Sequence, residues 1–294
     1  MRFRQIVIVG VGLIGGSFAL AARRAGIAER ITGCDLKDVI ERACARGVID
    51  CAEDSFGRGT VSQADLVYLA APVGAIIEFL RTRGSFLKPG AIVTDAGSTK
   101  RDICRAAREA LPPQVSFVGG HPMAGSHNSG VEYADADMFR DAPYALVVDD
   151  LKDESPAVRA IESVVHTVGG RAVKLTAEEH DRIVARMSHA PQLLTTALAC
   201  VVNDPDLRLA GSGFTEMARL AESPWSVWED ICRSNADEIT VALDEVIGEL
   251  EAIRSSVAAG DFASTGLVFD KANELIRGLR ARADRGDSRR QEEG

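Results

Sequence analysis

Two hydrophobic periods alternate along the first half of the chain. Short apolar runs, of which Ile6-Val7-Ile8-Val9 is the clearest, recur at 5–9, 30–34, 65–70, 91–95, 115–118 and 144–148. Between them, at 16–25, 37–46, 75–83 and 99–110, apolar residues return every three or four positions. A short unbroken apolar run fits a strand buried on both faces, and the longer period fits a helix with one apolar side. Strands alternating with helices predict right-handed crossovers and a parallel sheet covered on both faces. Ligands of such sheets bind beyond the carboxyl ends of the strands. Gly10 to Gly15, Asp35, Ala71-Pro72, Asp95 to Ser98 and Gly119 to Pro122 all fall at those ends.

From about Asp149 the pattern changes. A helix at 155–168 and a strand at 171–175 complete a first domain set at residues 1–175. Thr176-Ala177-Glu178-Glu179 then has the form of a capping box, with Thr176 as N-cap and Glu179 at the third helical position. It opens a long helix over 177–202, followed by helical stretches at 214–222, 225–257 and 261–281. No strand pattern of any strength remains, so 176–282 is expected to be an all-helical second domain, and the charged, glycine-bearing segment 283–294 a disordered tail.

Composition narrows the class. A chain of 294 residues has room for two ordinary domains and a substantial core. Its 46% apolar and 26% charged content is that of a globular protein. No apolar run approaches the roughly 20 residues that span a bilayer, and no leader pattern opens the chain, so a cytoplasmic protein without membrane contact is expected. The net charge of −9, with basic residues scattered, argues against nucleic acid as a partner. Six cysteines form no C-x-x-C pair, and no cluster has metal-ligand spacing, so no metal is expected.

The first strand runs into Gly10-Val11-Gly12-Leu13-Ile14-Gly15, a G-x-G-x-x-G. Gly10 permits the tight turn, Gly12 lets the backbone approach a pyrophosphate, and Gly15 lets the helix pack closely on the strand. The N-terminus of the helix that follows offers free N–H groups and a positive dipole end to phosphates, with Leu13 and Ile14 of the motif among the expected cofactor contacts. The motif alone is a weak signal. Its weight comes from the strand before, the helix after, and a second strand ending in Asp35, twenty residues beyond Gly15. A carboxylate there bonds the ribose hydroxyls of NAD and repels the additional phosphate of NADP, so the expected cofactor is NAD in a Rossmann-type domain. Ala71, Pro72 and Gly97, at further strand ends, extend the expected cofactor edge.

His121 stands among Gly119, Gly120, Pro122 and Gly125 at another strand end, facing the expected nicotinamide. A dehydrogenase that oxidises an alcohol needs a group to take the hydroxyl proton as hydride leaves. An imidazole, with an ordinary pKa of about 6.5, suits that near neutrality. Ser98 is placed to bond the same hydroxyl or to orient the imidazole. Taken singly, His121 is equally a structural histidine bonding loop carbonyls; beside Ser98 and a nucleotide site it reads as catalytic.

Asp95-Ala96-Gly97-Ser98-Thr99-Lys100, Gly119 to Gly125 and Ser129-Gly130-Val131-Glu132 together resemble the TyrA family of prephenate and arogenate dehydrogenases. The resemblance continues through His180-Asp181, Ser188-His189-Ala190-Pro191 and Ala218-Arg219-Leu220-Ala221-Glu222-Ser223-Pro224 ahead of Trp228, and covers about residues 5–280. It implies NAD-dependent oxidative decarboxylation of prephenate to 4-hydroxyphenylpyruvate in tyrosine biosynthesis, by a homodimer built on the helical half. By the same resemblance His121 accepts the proton of the 4-hydroxyl with Ser98 as its partner, and Arg219 holds a substrate carboxylate. Arginine suits that task as a planar, permanently charged fork; the competing explanation is an ion pair with Glu216 or Glu222. His189 is expected to face the substrate, with Pro191 bending its helix. Ser126, in Ser126-His127-Asn128, is a further substrate contact, His180 reads as structural, and Trp228 reads equally as core or interface. No regulatory ACT domain or fused chorismate mutase is expected.

One departure bears on the substrate. Many family members read Ser-His-x-Pro-His, and here the last position is Gln192. A neutral amide suits the amino-acid side chain of arogenate, so the choice among prephenate, arogenate and an aminated analogue stays open. Two other classes compete. A β-hydroxyacid dehydrogenase uses a lysine on the helix after the first domain, and 177–202 contains none. A non-catalytic NAD-binding protein has no need of Ser98, His121 and Arg219 together.

Overall fold

The computed structural model describes residues 2–53, 58–126 and 128–293; His127 lies outside them. Among the described residues eight strands form one sheet: β1 (Phe3–Val9), β2 (Ala28–Cys34), β3 (Cys51–Glu53), β4 (Leu66–Leu69), β5 (Ile92–Asp95), β6 (Ser116–Pro122), β7 (Pro143–Val147) and β8 (Arg171–Leu175). Their order is β3-β2-β1-β4-β5-β6-β7-β8. The first six run parallel, as expected. β7 runs antiparallel to β6, and β8 parallel to β7, so the expected all-parallel sheet is a mixed one. The chain order reverses between β1 and β4, where a parallel sheet opens a crevice at its carboxyl edge.

Alternation along β1 sends side chains to both faces. Ile6 and Ile8 pack with Phe18 on helix α1 (Leu13–Arg24) and Ile161 on helix α6 (Pro156–Thr167). Val7 and Val9 pack oppositely, with Ile76 and Leu80 on helix α4 (Val73–Arg83) and Ile103 on helix α5 (Arg101–Ala110). Phe18 and Tyr68 stack at 3.9 Å, and the Tyr68 hydroxyl meets that of Tyr144 on β7 at 3.2 Å, tying the reversed strand into the core. Helices α2 (Lys37–Ala45) and α3 (Arg58–Val61) complete this part of the chain.

After β8 every element is helical: α7 (Ala177–Val184), α8 (Ala190–Cys200), α9 (Ser212–Ala218), α10 (Trp225–Ser234), α11 (Ala236–Ala259) and α12 (Phe262–Glu293). The capping box forms as written: the Thr176 hydroxyl accepts from the Glu179 N–H at 3.1 Å, and the Glu179 carboxylate accepts from the Thr176 N–H at 3.0 Å. The single helix expected over 177–202 is interrupted by a π turn at Ala185–His189. Pro191, in the first turn of α8, lacks an N–H, and the wider turn before it relieves the clash of its ring with the preceding backbone.

The residues up to Ile239 form one compact unit and 240–294 a second. In the second, α11 and α12 are joined by Lys271–Glu249 at 3.6 Å. Helix α12 is continuous to Glu293 across the segment expected to be a tail, because arginine, glutamate and alanine are strong helix formers. No helix among the described residues is long and apolar enough to cross a membrane.

Candidate active site

At the β1–β4 switch point Gly10 and Gly15 lie closest to backbone. Gly10 has φ +86°, and a Cβ on it would lie 2.3 Å from the Ala70 carbonyl oxygen; one on Gly15 would lie 1.9 Å from that of Gly10. A Cβ on Gly12 would meet no protein atom within 4 Å. Asp35, just beyond β2, accepts from the Val11 N–H at 2.7 Å and, through its other oxygen, from the Leu36 N–H at 2.7 Å. The acid is thereby locked to the glycine turn with lone pairs to spare. Leu13 and Ile14 begin α1, whose first turn carries no acidic residue, while Ala71 and Pro72 lead from β4 into α4. These residues fit a dinucleotide, with phosphates at the α1 N-terminus and a ribose at Asp35.

The glycines make a paired prediction. Gly12→Ala should leave thermal stability unchanged yet weaken NAD binding about tenfold or more, equivalent to about 1.4 kcal/mol. Gly15→Ala should destabilise the fold by about 1–3 kcal/mol through overpacking. Thermal melts beside fluorescence titrations with NAD separate the two.

Across the edge, β5 ends at Asp95. Asp95 and Lys100 are both wholly buried and form an ion pair. Asp95 also accepts from the Gly97 N–H at 2.8 Å and from the Gly120 N–H at 3.0 Å, while Lys100 Nζ donates to the Gly120 carbonyl at 2.7 Å. Both backbone groups of the residue before His121 are therefore held. Gly97 sits inside this clamp, its N–H spent on Asp95, so its expected place at the cofactor edge is structural as well.

His121 lies on β6, paired with Ala145 of β7, and is half-buried. Its Nδ1 is 2.9 Å from Nε2 of His180, and His180 Nδ1 is 2.8 Å from Oδ1 of Asp181. His180, expected to be structural, thus touches the proposed base directly. Asp181 is fixed in turn by the N–H groups of Lys100 at 2.7 Å and Arg101 at 3.0 Å, and by Arg101 Nε at 3.2 Å. Burial alone would push the Asp181 carboxyl up; these bonds and the His180 contact outweigh it and leave it below the ordinary carboxylate range. Burial, then His180, Lys100 and His189, hold the His121 pKa well below its usual 6.5. Burial likewise lowers His180, against the opposing pull of Asp181.

Neutral imidazoles and an ionised Asp181 admit one arrangement of protons. Asp181 can only accept, so His180 donates from Nδ1 and accepts at Nε2. His121 must then donate from Nδ1, which leaves its Nε2 lone pair free. This is the orientation logic of an acid–histidine pair extended by one imidazole.

Asn235, also wholly buried, was invisible to sequence reasoning. Its Oδ1 accepts from Arg101 at 2.9 Å, which turns its amide N–H groups toward the Asp181 carbonyl at 2.9 Å and His189 Nδ1 at 3.3 Å. His189 therefore carries its proton on Nε2. Burial lowers its pKa to about 4, so it is a neutral donor, packed edge-on to Trp228 at 5.8 Å between centroids. The π turn is what places this histidine.

The remaining candidates are less enclosed. Ser98 is half-buried in the loop after β5, and no hydrogen bond joins it to His121 among the described residues. Ser126 is exposed and its hydroxyl accepts from the Asn128 N–H at 3.1 Å, closing its own loop. Arg219 is exposed in a short 3₁₀ turn, Arg219–Glu222, and among the described residues no ion pair joins it to Glu216 or Glu222. Gln192 is buried on α8, and its Nε2 donates to the Leu220 carbonyl of that turn at 2.6 Å.

Residues 18–174 match the model for the prephenate dehydrogenase nucleotide-binding domain, and 176–269 that for the prephenate dehydrogenase dimerization domain. The chain is 35% identical over 284 residues to the prephenate dehydrogenase of Bacillus subtilis, covering 93% of this chain and 76% of that protein. It superimposes with a TM-score of 0.84 on the prephenate dehydrogenase of Aquifex aeolicus crystallised with hydroxyphenyl propionate and NAD+, at 28% identity and covering 95% of this chain and 99% of that one. The arogenate dehydrogenase of Synechocystis gives a TM-score of 0.77 at 27% identity, covering 92% and 97%. The two domain models, which together match residues 18–174 and 176–269, and the 35% identity to the Bacillus subtilis enzyme over most of the chain make this chain a member of the prephenate dehydrogenase family.

Proposed function

We propose that this chain is an NAD-dependent dehydrogenase that converts prephenate to 4-hydroxyphenylpyruvate and CO2 in tyrosine biosynthesis. The observation that carries the reading is the His121–His180–Asp181 chain, which leaves one imidazole lone pair unengaged, that of His121 Nε2, beside the nucleotide edge. When bound, NAD supplies the acceptor for the hydride that leaves ring C4. His121 Nε2 takes the proton of the 4-hydroxyl as that bond forms a carbonyl, and Ser98 orients the same hydroxyl. Loss of the ring carboxylate as CO2 then drives aromatisation, and His121 returns its proton to the phenol oxygen. Arg219 holds the ring carboxylate in its guanidinium fork, and His189 donates from Nε2 to the substrate. Ser126 borders the same space.

A homodimer accords with the matched dimerization domain and with the apolar residues Ile247, Leu250, Val257, Leu267, Phe269 and Leu275, all exposed on a single chain.

Arogenate is the second reading, favoured by one observation: Gln192 stands where many family members carry histidine. The deciding experiment is a steady-state assay with NAD, comparing prephenate and arogenate at matched concentrations by NADH formation. Turnover of prephenate in clear preference to arogenate is the expected result. Preference for arogenate replaces the first reading with the second, and activity on neither removes both.

A further inference from the structure

We infer that Gln192 is a positioning residue, which sets the place of Arg219 by holding the Leu220 carbonyl and does not itself touch substrate. The inference rests on Arg219 as the fork for a substrate carboxylate.

The turn that carries Arg219 needs such a hold. From the 3₁₀ stretch Asp204–Leu209 through α9 to Glu222 no residue is buried, so no apolar side chain anchors it in a core. Gln192 reaches it from the firmest ground nearby. The residue is only 5% exposed. It lies in the first turn of α8, where the Thr195 and Thr196 hydroxyls donate to the Pro191 and Gln192 carbonyls at 2.7 and 2.9 Å. Its 2.6 Å bond ends on the carbonyl next to Arg219, which also accepts the Ser223 N–H closing the turn at 3.3 Å. Gln192 also lies three residues beyond His189, so the two share one side of the helix. It thus couples the two proposed substrate contacts and sets their spacing. An amide suits the task because it donates at any working pH and brings no charge beside the guanidinium. A histidine there would titrate.

The test uses the full-length protein with NAD and prephenate, in a double-mutant cycle of Gln192→Leu and Arg219→Gln. Loss of one buried hydrogen bond corresponds to about a tenfold change. Gln192→Leu should therefore raise KM about tenfold with kcat nearly unchanged, and should do almost nothing further once Arg219 is glutamine. An equal tenfold rise in both backgrounds overturns the inference, since Gln192 would then bind substrate itself. No rise in either background overturns it too. If Arg219→Gln alone leaves KM unaltered, the reading of Arg219 is the part that has failed. Gln192→Glu adds a readout that packing alone would not move: KM should be high at neutral pH and recover on acidification, as a protonated carboxyl regains its donor. A KM that stays high at every pH speaks against the hydrogen bond as the operative contact.

Discussion

Replacing His121 with asparagine is expected to lower kcat by about 10²- to 10⁴-fold, the range for loss of a positioned acid–base group. NAD affinity should be unaltered, because the glycine turn, α1 and Asp35 are built on β1 and β2 and do not depend on the imidazole. The wild-type pH profile supplies an independent check. The working form of His121 is the neutral one, and burial with its neighbours depresses its pKa below 6.5. Activity should therefore persist through neutrality and fall only on the acid side, with a midpoint below 6.5. The residual activity of His121→Asn should lack that limb. A variant that keeps both turnover and the acid limb would remove His121 from the mechanism and leave His180 or Ser98 to be tested in its place.

The features legible in the sequence are those whose signal is local. The run Ile6–Val9 is a central strand because every position is apolar, and the turn after it needs glycine where a Cβ would strike the Ala70 and Gly10 carbonyls. The Thr176 capping box is equally local, with both partners inside one helical turn. Strand β3 escapes because three residues at a sheet edge have too little pattern to register. The direction of β7 escapes because alternation shows that a strand exists and says nothing of which way it runs. The relay escapes for a different reason. His121 and His180 lie 59 positions apart, and only the folded chain brings their nitrogens to 2.9 Å. Asn235 is harder still: it falls inside the single helical stretch expected over 225–257, yet the structure breaks the helix there and it sets the tautomer of His189 from a wholly buried position. Nothing local in the sequence marks Lys100 as buried; its burial follows from Asp95, five residues earlier.

That buried pair should be the costliest single point in the fold to disturb. Lys100→Met leaves the Asp95 carboxylate buried without its cation, a change that typically costs about 3–5 kcal/mol. At about 2–4 °C per kcal/mol for a protein near this size, the melting temperature should drop by roughly 10 °C. The double variant Asp95→Asn with Lys100→Met removes both charges and should recover most of the loss, because the expense lies in the unpaired ion rather than in the absence of the pair. Recovery should be incomplete. Asp95 accepts from the Gly97 and Gly120 N–H groups, and an amide can serve only one of them well. Where the single variant remains folded, catalysis reports on the same contact. Lys100 is one of the cations that disfavour protonation of His121, so its removal should move the acid limb of the activity profile upward, toward the ordinary imidazole value. A purely structural lysine would lower stability and leave that midpoint in place. A shift in the limb together with a fall in kcat would show that the Asp95–Lys100 clamp on Gly120 tunes and places the base as well as supporting the sheet.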